Sequence, residues 1–302
     1  MGKEMELEMS NEKPSKVDAA DVNEASTTSV VPGIPDLGNF TPARVGLGRA
    51  GGALPTSHRL AVTTAHSSAR DAVHSEVDLE MLHRSINGLS EVYTQATDRA
   101  EYLRRPDLGR RLADDARAGG SHAGDTDADG SNSVGSDAGT VDWQAHAGEI
   151  GIVIADGLSP QAVSEHAASL VGELQKLFEE ELPGKSVANP IFVHQGRVAV
   201  GDYVSERTGW NVTVIIIGER PGLSVPSSLG MYLTWQARSG MTDESRNCIS
   251  NIHPPHGISY REAARSAAAL INAFYEQGKS GYEIKAIEAA GDAALEINPE
   301  DV

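Results

Sequence analysis

A turn with several functional groups follows a long apolar run in the C-terminal half of the chain. The run extends from Val212 to Ile217, and the turn after it reads GERPG, in which Glu219 and Arg220 stand between two glycines and beside a proline. A carboxylate accepts strong, charge-assisted hydrogen bonds, and glycine lets the backbone approach a ligand closely. The turn could therefore bind a ligand, bind a partner chain or simply end a strand.

The same half contains one cysteine and two closely spaced histidines. Cys248 is the only cysteine among the 302 residues, so no disulfide can form within the chain, and an intracellular setting is expected. The sequence suggests no base for this thiol, and a lone cysteine is commonly a buried filler. His253 and His256 are separated by two prolines in HPPHG, which is a weak metal-binding pattern, and we expect no metal site.

Several common catalytic signatures do not occur in the sequence. There is no G-x-S-x-G around Ser159 or Ser224, and therefore no nucleophile elbow. GERPGLS lacks the lysine that a phosphate-binding loop needs, and GLGRAGG has glycines at a suggestive spacing but no strand before it. Residue chemistry alone thus indicates a binding or structural domain.

Strands and helices alternate from about residue 150 onward. IGIVIADGLSP predicts a buried strand, a turn, and then a helix with Ser159 as its N-cap and Pro160 as its first residue. NVTVIIIGER, LGMYLTW and NCISNI predict further strands, and RVAVGDYVSERTG predicts a short strand or the start of a helix. Ser259 and Glu262 form a capping box, S-x-x-E, that opens another helix.

This alternation predicts an α/β fold with a Rossmann-like, mainly parallel sheet. Loops at the carboxyl ends of parallel strands form the ligand crevice of such folds, and ADGLS and GERPGLS are two such loops. A smaller, mostly helical N-terminal unit comes first, with helices predicted from Thr56 to about Ser75 and near Asp78–Tyr102. The GERPG turn is therefore expected where open α/β sheets bind ligands.

The net charge of −18 is concentrated in three segments. The first 40 residues carry −5, the last 20 carry −5 and residues 113–150 carry −7, so the rest of the chain is nearly neutral. Segments this polar bury too little apolar surface to offset the entropy of ordering. The expected organisation is a disordered acidic tail (1–40), a helical N-terminal unit with partner contacts (41–112), a disordered acidic linker (113–149), an α/β domain (150–282) and an acidic C-terminal tail (283–302).

The charge distribution also bears on possible partners. Basic residues cluster only at Arg104, Arg105, Arg110 and Arg111, which we expect to pair with carboxylates or a partner subunit, so a nucleic-acid role finds no support. No apolar run approaches the roughly 20 residues that span a bilayer. The N-terminus, MGKEMELEMS, has no apolar core and does not resemble a secretory signal.

Seven sequence blocks, taken in order, are similar to the light chain of ethanolamine ammonia-lyase. They read GRAGGALPT, ARDAVH, EYLRRPDLGRRL, IVIADGLSP, GRVAVGD, IIIGERPGLSVPSSLGMYLT and RNCISNIHPPHGISY. The resemblance covers nearly all of 41–112 and 150–282. It implies a small subunit that helps to enclose adenosylcobalamin against a larger TIM-barrel subunit, in a hetero-oligomer that converts ethanolamine to acetaldehyde and ammonia by a radical mechanism.

The resemblance also implies three cofactor contacts. The family's cobalamin-contacting positions fall on Val198 in GRVAV, on Glu219 in IGERPG and on Cys248 in RNCISN. Val198 could pack on the apolar face of the corrin, Glu219 could accept an amide N–H, and Cys248 is small and polarizable. Without the resemblance, Val198 would be taken as core, Glu219 as a partner of Arg220 or Arg246, and Cys248 as filler.

Three further expectations follow from the same resemblance. The chain lacks the D-x-H-x-x-G loop with which some proteins ligate cobalt, so the cofactor's own benzimidazole is the expected lower ligand and this chain supplies none. The enzyme is expected in the cytoplasm. The N-terminal tail could address it to a bacterial microcompartment, as in some relatives, but its KEMELEM segment is only weakly amphipathic. The rival interpretation is a non-catalytic cobalamin or nucleotide carrier that binds its ligand unaided.

Overall fold

The computed structural model describes residues 51–113 and 141–284. The chain divides into two compact units, Met1–His58 and Arg59–Val302. The predicted N-terminal tail, most of the predicted linker and all but the first two residues of the predicted C-terminal tail lie outside the described residues. The division into domains expected from the sequence stays a prediction.

The described residues form six α-helices and six strands. The helices are α1 (Thr56–His74), α2 (Leu79–Ser85), α3 (Arg99–Arg104), α4 (Pro160–Glu181), α5 (Val200–Thr208) and α6 (Tyr260–Gln277). The strands are β1 (Ser90–Tyr93), β2 (Ile150–Ala155), β3 (Ile191–His194), β4 (Val212–Gly218), β5 (Leu229–Trp235) and β6 (Asn247–Ile252). Short 3₁₀ helices lie at Leu108–Arg110, Trp143–His146 and Asp243–Ser245. None of the described helices is long and apolar enough to cross a membrane.

All six strands belong to one sheet in the order β1-β3-β2-β4-β5-β6. β1, β3, β2 and β4 run parallel, whereas β5 is antiparallel to both β4 and β6. The predicted α/β fold with a mainly parallel sheet is therefore confirmed. The two antiparallel connections, from β4 to β5 and from β5 to β6, contain no α-helix, as expected for neighbouring strands that reverse direction.

The two faces of the sheet are packed differently. Side chains such as Ile152 and Ile154 lie on the first face, in a core shared with α2, α4 and α6. Their neighbours along the strand, such as Val153 and Ala155, lie on the second face, in a core shared with α5 and Trp210. Because both faces are covered at the centre of the sheet, β2 and β4 are buried along their whole length.

The helix signals in the second half of the sequence are confirmed. The Ser159 side chain caps α4 by accepting from the Ala162 amide, and Pro160 is the first helical residue. The capping box of Ser259 and Glu262 is complete at the start of α6. The predicted apolar stripe of α4 is buried along its length: Val163, Ala167, Leu170, Leu174 and Leu177.

The helix predicted near Asp78–Tyr102 is wrong. The chain forms α2, then β1, and then α3, and Gly88 adopts a φ of 70° in the turn between α2 and β1. A Cβ at Gly88 would lie 2.7 Å from Cγ of Asn189, so the turn is adapted to glycine both in conformation and in space. The apolar residues that suggested one helical stripe belong to separate elements: Leu82, Ile86 and Leu89 pack in the first-face core, and Val92 packs in the second-face core.

Two strands, β3 and β1, were not predicted from the sequence. For RVAVGDYVSERTG the sequence allows a short strand or the start of a helix, and the structure shows the helix, α5. Within the segment 113–149, residues 143–146 form the 3₁₀ helix Trp143–His146. That helix is fixed by Trp210, whose indole N–H donates to the carbonyl of His146 at 2.8 Å.

Candidate functional site

The carboxyl ends of β3, β2 and β4 meet at one edge of the sheet, as the parallel arrangement requires. Asp156 follows β2, the segment Gln195–Val198 follows β3, and Glu219 follows β4. The GERPG turn therefore does lie at the ligand-binding edge of an open α/β sheet. Two non-glycine residues at this edge, Gln195 and Asn251, have left-handed φ angles of 55° and 64°.

Glu219 is held in place by two donors. Its Oε2 atom accepts from the Ser228 hydroxyl at 2.8 Å and from the Asn251 amide at 3.3 Å. Its Oε1 atom lies over β5, where a Cβ at Gly230 would come within 2.9 Å of it. Glycine at position 230 thus leaves space for the Glu219 carboxylate, and the orientation of this carboxylate is set by contacts within the chain.

Cys248 lies on β6 directly opposite Tyr232 on β5. The thiol is exposed, and the phenol is half-buried and hydrogen-bonded to it. Partial burial raises the pKa of both groups, and the nearby Glu219 carboxylate raises both further. The Tyr232 hydroxyl opposes this for the thiol by donating to sulfur. Cys248 is therefore a neutral, polarizable surface group and not buried filler.

Val198 lies just before α5 and is half-buried against the second-face core, as Tyr232 is. Tyr232 thus links two of the three residues predicted from the sequence, because Glu219 and Cys248 both interact with it. Val198 packs against the same core. We call Val198, Glu219, Tyr232 and Cys248 the second-face patch. Sequence reasoning missed Tyr232, although Met231 and Leu233 on either side of it face the first core, and such alternation places Tyr232 on the opposite face.

The alternative pairing of Glu219 with Arg246 is wrong. Arg246 is buried and forms a bidentate ion pair with Asp202, in which both N–O distances are 2.7 Å. Among the ion pairs of the described residues, none joins Glu219 to Arg220. The Glu219 carboxylate is held by neutral donors only.

The two histidines of HPPHG have different surroundings. His253 is buried, and its Nε2 atom lies 2.8 Å from Oδ1 of Asn251. This contact helps to fix Asn251, whose backbone amide donates to Glu219. His256 is exposed. Within the described ranges, no three His, Cys, Asp or Glu side chains are grouped so as to hold a metal ion.

A carboxylate, a phenol and a thiol gathered on an open part of an α/β sheet form a candidate site for a ligand or a partner chain. Comparison with known proteins identifies the family. The model of the family described as "Ethanolamine ammonia-lyase light chain (EutC)" matches residues 33–285. The chain therefore belongs to the ethanolamine ammonia-lyase light-chain family, a family of lyase small subunits.

Individual relatives agree with this assignment. The chain is 39% identical over 254 residues to the ethanolamine ammonia-lyase small subunit of Rhodococcus erythropolis, covering 82% of this chain and 88% of the relative. It is 42% identical over 267 residues to the small subunit from Ralstonia nicotianae, covering 86% and 90%. The small subunit of Azotobacter vinelandii is 42% identical over 257 residues, covering 82% and 86%.

Proposed function

We propose that the chain is the small subunit of an adenosylcobalamin-dependent ethanolamine ammonia-lyase and helps to enclose the cofactor where it meets the large subunit. The observation that carries the proposal is the second-face patch. Two residues singled out by resemblance, Glu219 and Cys248, lie around one tyrosine on an open part of the sheet, in a chain that belongs to this family. The reaction is the conversion of ethanolamine to acetaldehyde and ammonia, in the cytoplasm and within a hetero-oligomer.

The patch fits the chemistry of a corrin ring with amide side chains. Tyr232, Val198 and the Cys248 sulfur offer apolar and polarizable surface to a broad flat ring. Glu219 offers a carboxylate whose Oε1 atom carries neither of the bonds that fix Oε2, and an amide N–H of the cofactor suits it. A carboxylate oriented before binding loses little entropy when it accepts such a bond.

In this proposal the chain positions the cofactor and keeps water away from it. Bound adenosylcobalamin supplies the radical chemistry through homolysis of its cobalt–carbon bond. Glu219 would accept a hydrogen bond from an amide of the cofactor, and Tyr232 and Cys248 would offer it apolar and polarizable surface. The large subunit holds the amino alcohol.

The test is ammonia release from ethanolamine with adenosylcobalamin, measured for each chain alone and for the two chains co-expressed. Activity is expected only in the pair. Glu219→Ala should raise the KM for adenosylcobalamin by about tenfold, because a charge-assisted hydrogen bond contributes about 1.5–3 kcal/mol. Its kcat at saturating cofactor should change little.

The matched control is Glu206→Ala. Glu206 also accepts from a serine amide and hydroxyl, both of Ser239, but it is an exposed residue of α5 outside the second-face patch. This variant should keep the wild-type KM for adenosylcobalamin. Tight cobalamin binding by this chain alone, with no activity in the pair, would favour the carrier and overturn the proposal.

A further inference from the structure

Asp156 is a buried carboxylate at the carboxyl end of β2 that serves two backbone amides of the neighbouring loop. Only 4% of the residue is exposed. Its Oδ2 atom accepts from the Gln195 amide and its Oδ1 atom from the Gly196 amide, both at 2.9 Å. The nearest cation is Arg99, whose Nη1 atom lies 3.8 Å from Oδ2. Each carboxylate oxygen is thus used to hold this loop.

The backbone of this loop has a strained conformation that its neighbours must stabilise. Gln195 has a φ of 55°, a conformation that costs a non-glycine residue on the order of 1–3 kcal/mol. A Cβ at Gly196 would lie 2.8 Å from Cβ of Ala155, so the backbone here passes close against β2. Val198 of the second-face patch follows two residues later. A strained backbone persists only where its surroundings determine it, and strain of this kind is concentrated at functional sites.

A second set of contacts holds the same loop from the other side. The Tyr102 hydroxyl donates to the Gly196 carbonyl at 3.1 Å, and the Thr94 hydroxyl donates to the carbonyls of His194 and Gln195 at 3.0 and 3.1 Å. The Arg197 amide donates to the Gly109 carbonyl at 2.7 Å. The backbone from the His194 carbonyl to the Arg197 amide therefore has a partner at every polar group.

We propose that Asp156 is a positioning residue for the cofactor surface, in that it fixes the loop Gln195–Arg197 and thereby sets where Val198 lies. This inference rests on the proposed function, because it assigns a purpose to a contact residue of that site. Asp156 itself is buried beneath the loop and touches no cofactor; Tyr102 and Thr94 complete the clamp.

A role in stability alone explains this arrangement less well. Burial raises the pKa of Asp156, and the Arg99 cation and the two amides only oppose that effect. Burying a charge costs free energy, and well-packed apolar residues in its place commonly stabilise a fold equally well. What the carboxylate adds is two directed bonds to consecutive amides, which determine the conformation of one strained residue.

The experiment compares Asp156→Asn with wild type in the assembled two-subunit enzyme. Asparagine keeps the size but turns an NH₂ group toward one of the two amides, so one bond is lost and the loop shifts. Two quantities are measured: the dissociation constant of cyanocobalamin, from the absorbance change on binding, and the KM for adenosylcobalamin against kcat. Both the dissociation constant and the KM should rise about tenfold, with kcat at saturation nearly unchanged.

The matched control is Glu149→Gln. Glu149 lies just before the amino end of β2, whereas Asp156 follows its carboxyl end. Glu149 also accepts from a backbone amide, that of Ser186, and pairs with Lys185 at 3.3 Å. This variant should bind cyanocobalamin as wild type does. If Asp156 served the fold alone, Asp156→Asn would reduce the amount of assembled enzyme and leave the dissociation constant unchanged.

If Asp156→Asn fails to assemble, Tyr102→Phe tests the positioning role of the loop in its place. It removes only the hydroxyl on Gly196 and keeps the ring against the guanidinium groups of Arg99 and Arg197, which lie 4.8 and 4.2 Å from its centre. It should raise the same two constants. Wild-type cobalamin affinity in Tyr102→Phe, and in Asp156→Asn where it assembles, would overturn the inference and leave the proposed function standing. A wild-type pair that binds no cobalamin would overturn both.

Discussion

At the scale of single residues, the polar groups of the second-face patch adjust one another's protonation. Tyr232 donates to the Cys248 sulfur, and the Glu219 carboxylate disfavours an anion at either of them. The phenol and the thiol are therefore both neutral at physiological pH, and the carboxylate is the one charge of the patch. A surface with a single, fixed negative group suits a large ligand that carries many amide donors and a flat apolar face.

A different cluster of charged residues lies at the β1–β3 edge of the sheet and controls stability in acid. Glu91 accepts from His194 at 2.7 Å and from His83 at 2.6 Å, and these bonds lower its pKa from the ordinary value of 4.5 to about 2. A depressed carboxyl pKa contributes stability that is complete above about pH 4.5 and is lost as the pH falls toward 2. The contribution is about 2–3 kcal/mol, since only 20% of the side chain is exposed.

Glu91→Gln should therefore lower the free energy of unfolding by about 2–3 kcal/mol at pH 7, and by progressively less below pH 4.5. Urea unfolding of the purified chain at a series of pH values measures this. The control is Glu80→Gln, because Glu80 and its partner Arg84 are 90% and 73% exposed and such pairs contribute about 0–1 kcal/mol. A deficit in Glu91→Gln that stays constant down to pH 2 would contradict the assignment.

At the scale of elements, α6 depends on its first turn. The Ser259 side chain accepts from the Glu262 amide, and Glu262 in turn accepts from the Ser259 amide at 3.0 Å. Ser259→Ala leaves that turn uncapped and should lower the free energy of unfolding by about 1 kcal/mol, as judged by urea unfolding. Glu262→Gln preserves the box and should cost less than Glu262→Ala. Equal losses in the two Glu262 variants would show that the box contributes nothing.

How far the elements could be predicted from the sequence depends on how local their signals are. β2, β4, α4 and α6 carry long periodic runs with caps, and each was predicted within a few residues. β1 and β3 are strands of only four residues, and β1 has a single buried side chain, so neither has a periodicity to detect. The apolar residues of α2 and β1 mimic one helical stripe. The space restriction at Gly88 comes from Asn189, which is distant in sequence, since a Cβ at Gly88 would lie 2.7 Å from its Cγ atom.

The site shows the same division between local and distant signals. Glu219 and Cys248 stand in recognisable motifs, which is why resemblance found them. The role of Tyr232 depends on the register that sets it opposite Cys248, and a single sequence does not contain that register. The contact between Asp156 and the Gln195 amide joins residues 39 positions apart, so nothing in ADGLS indicates it.

At the scale of the whole molecule, the acidic segment 113–150 lies within the family match, whereas the acidic ends of the chain lie mostly outside it. The match spans residues 33–285, so most of the strongly acidic N- and C-terminal segments lie beyond it. The described sheet is covered on its first face by α2, α4 and α6, whereas its second face is open at Cys248. A subunit of a larger enzyme is expected to bury such an opening in the assembly.

Cys248 reports on that burial directly, because it is the only cysteine of the chain. Iodoacetamide should alkylate it in the isolated chain, more slowly than a free thiol because the pKa of Cys248 is raised. Assembly with the large subunit should slow the reaction, and adding adenosylcobalamin should slow it further. Mass spectrometry of this chain gives the rate without interference from thiols of the partner, and the urea-unfolded chain supplies the unprotected reference. Protection by the large subunit alone, unchanged by cobalamin, would place the partner on the patch and the cofactor elsewhere. No protection in the cobalamin-loaded assembly would remove the patch from the interface altogether.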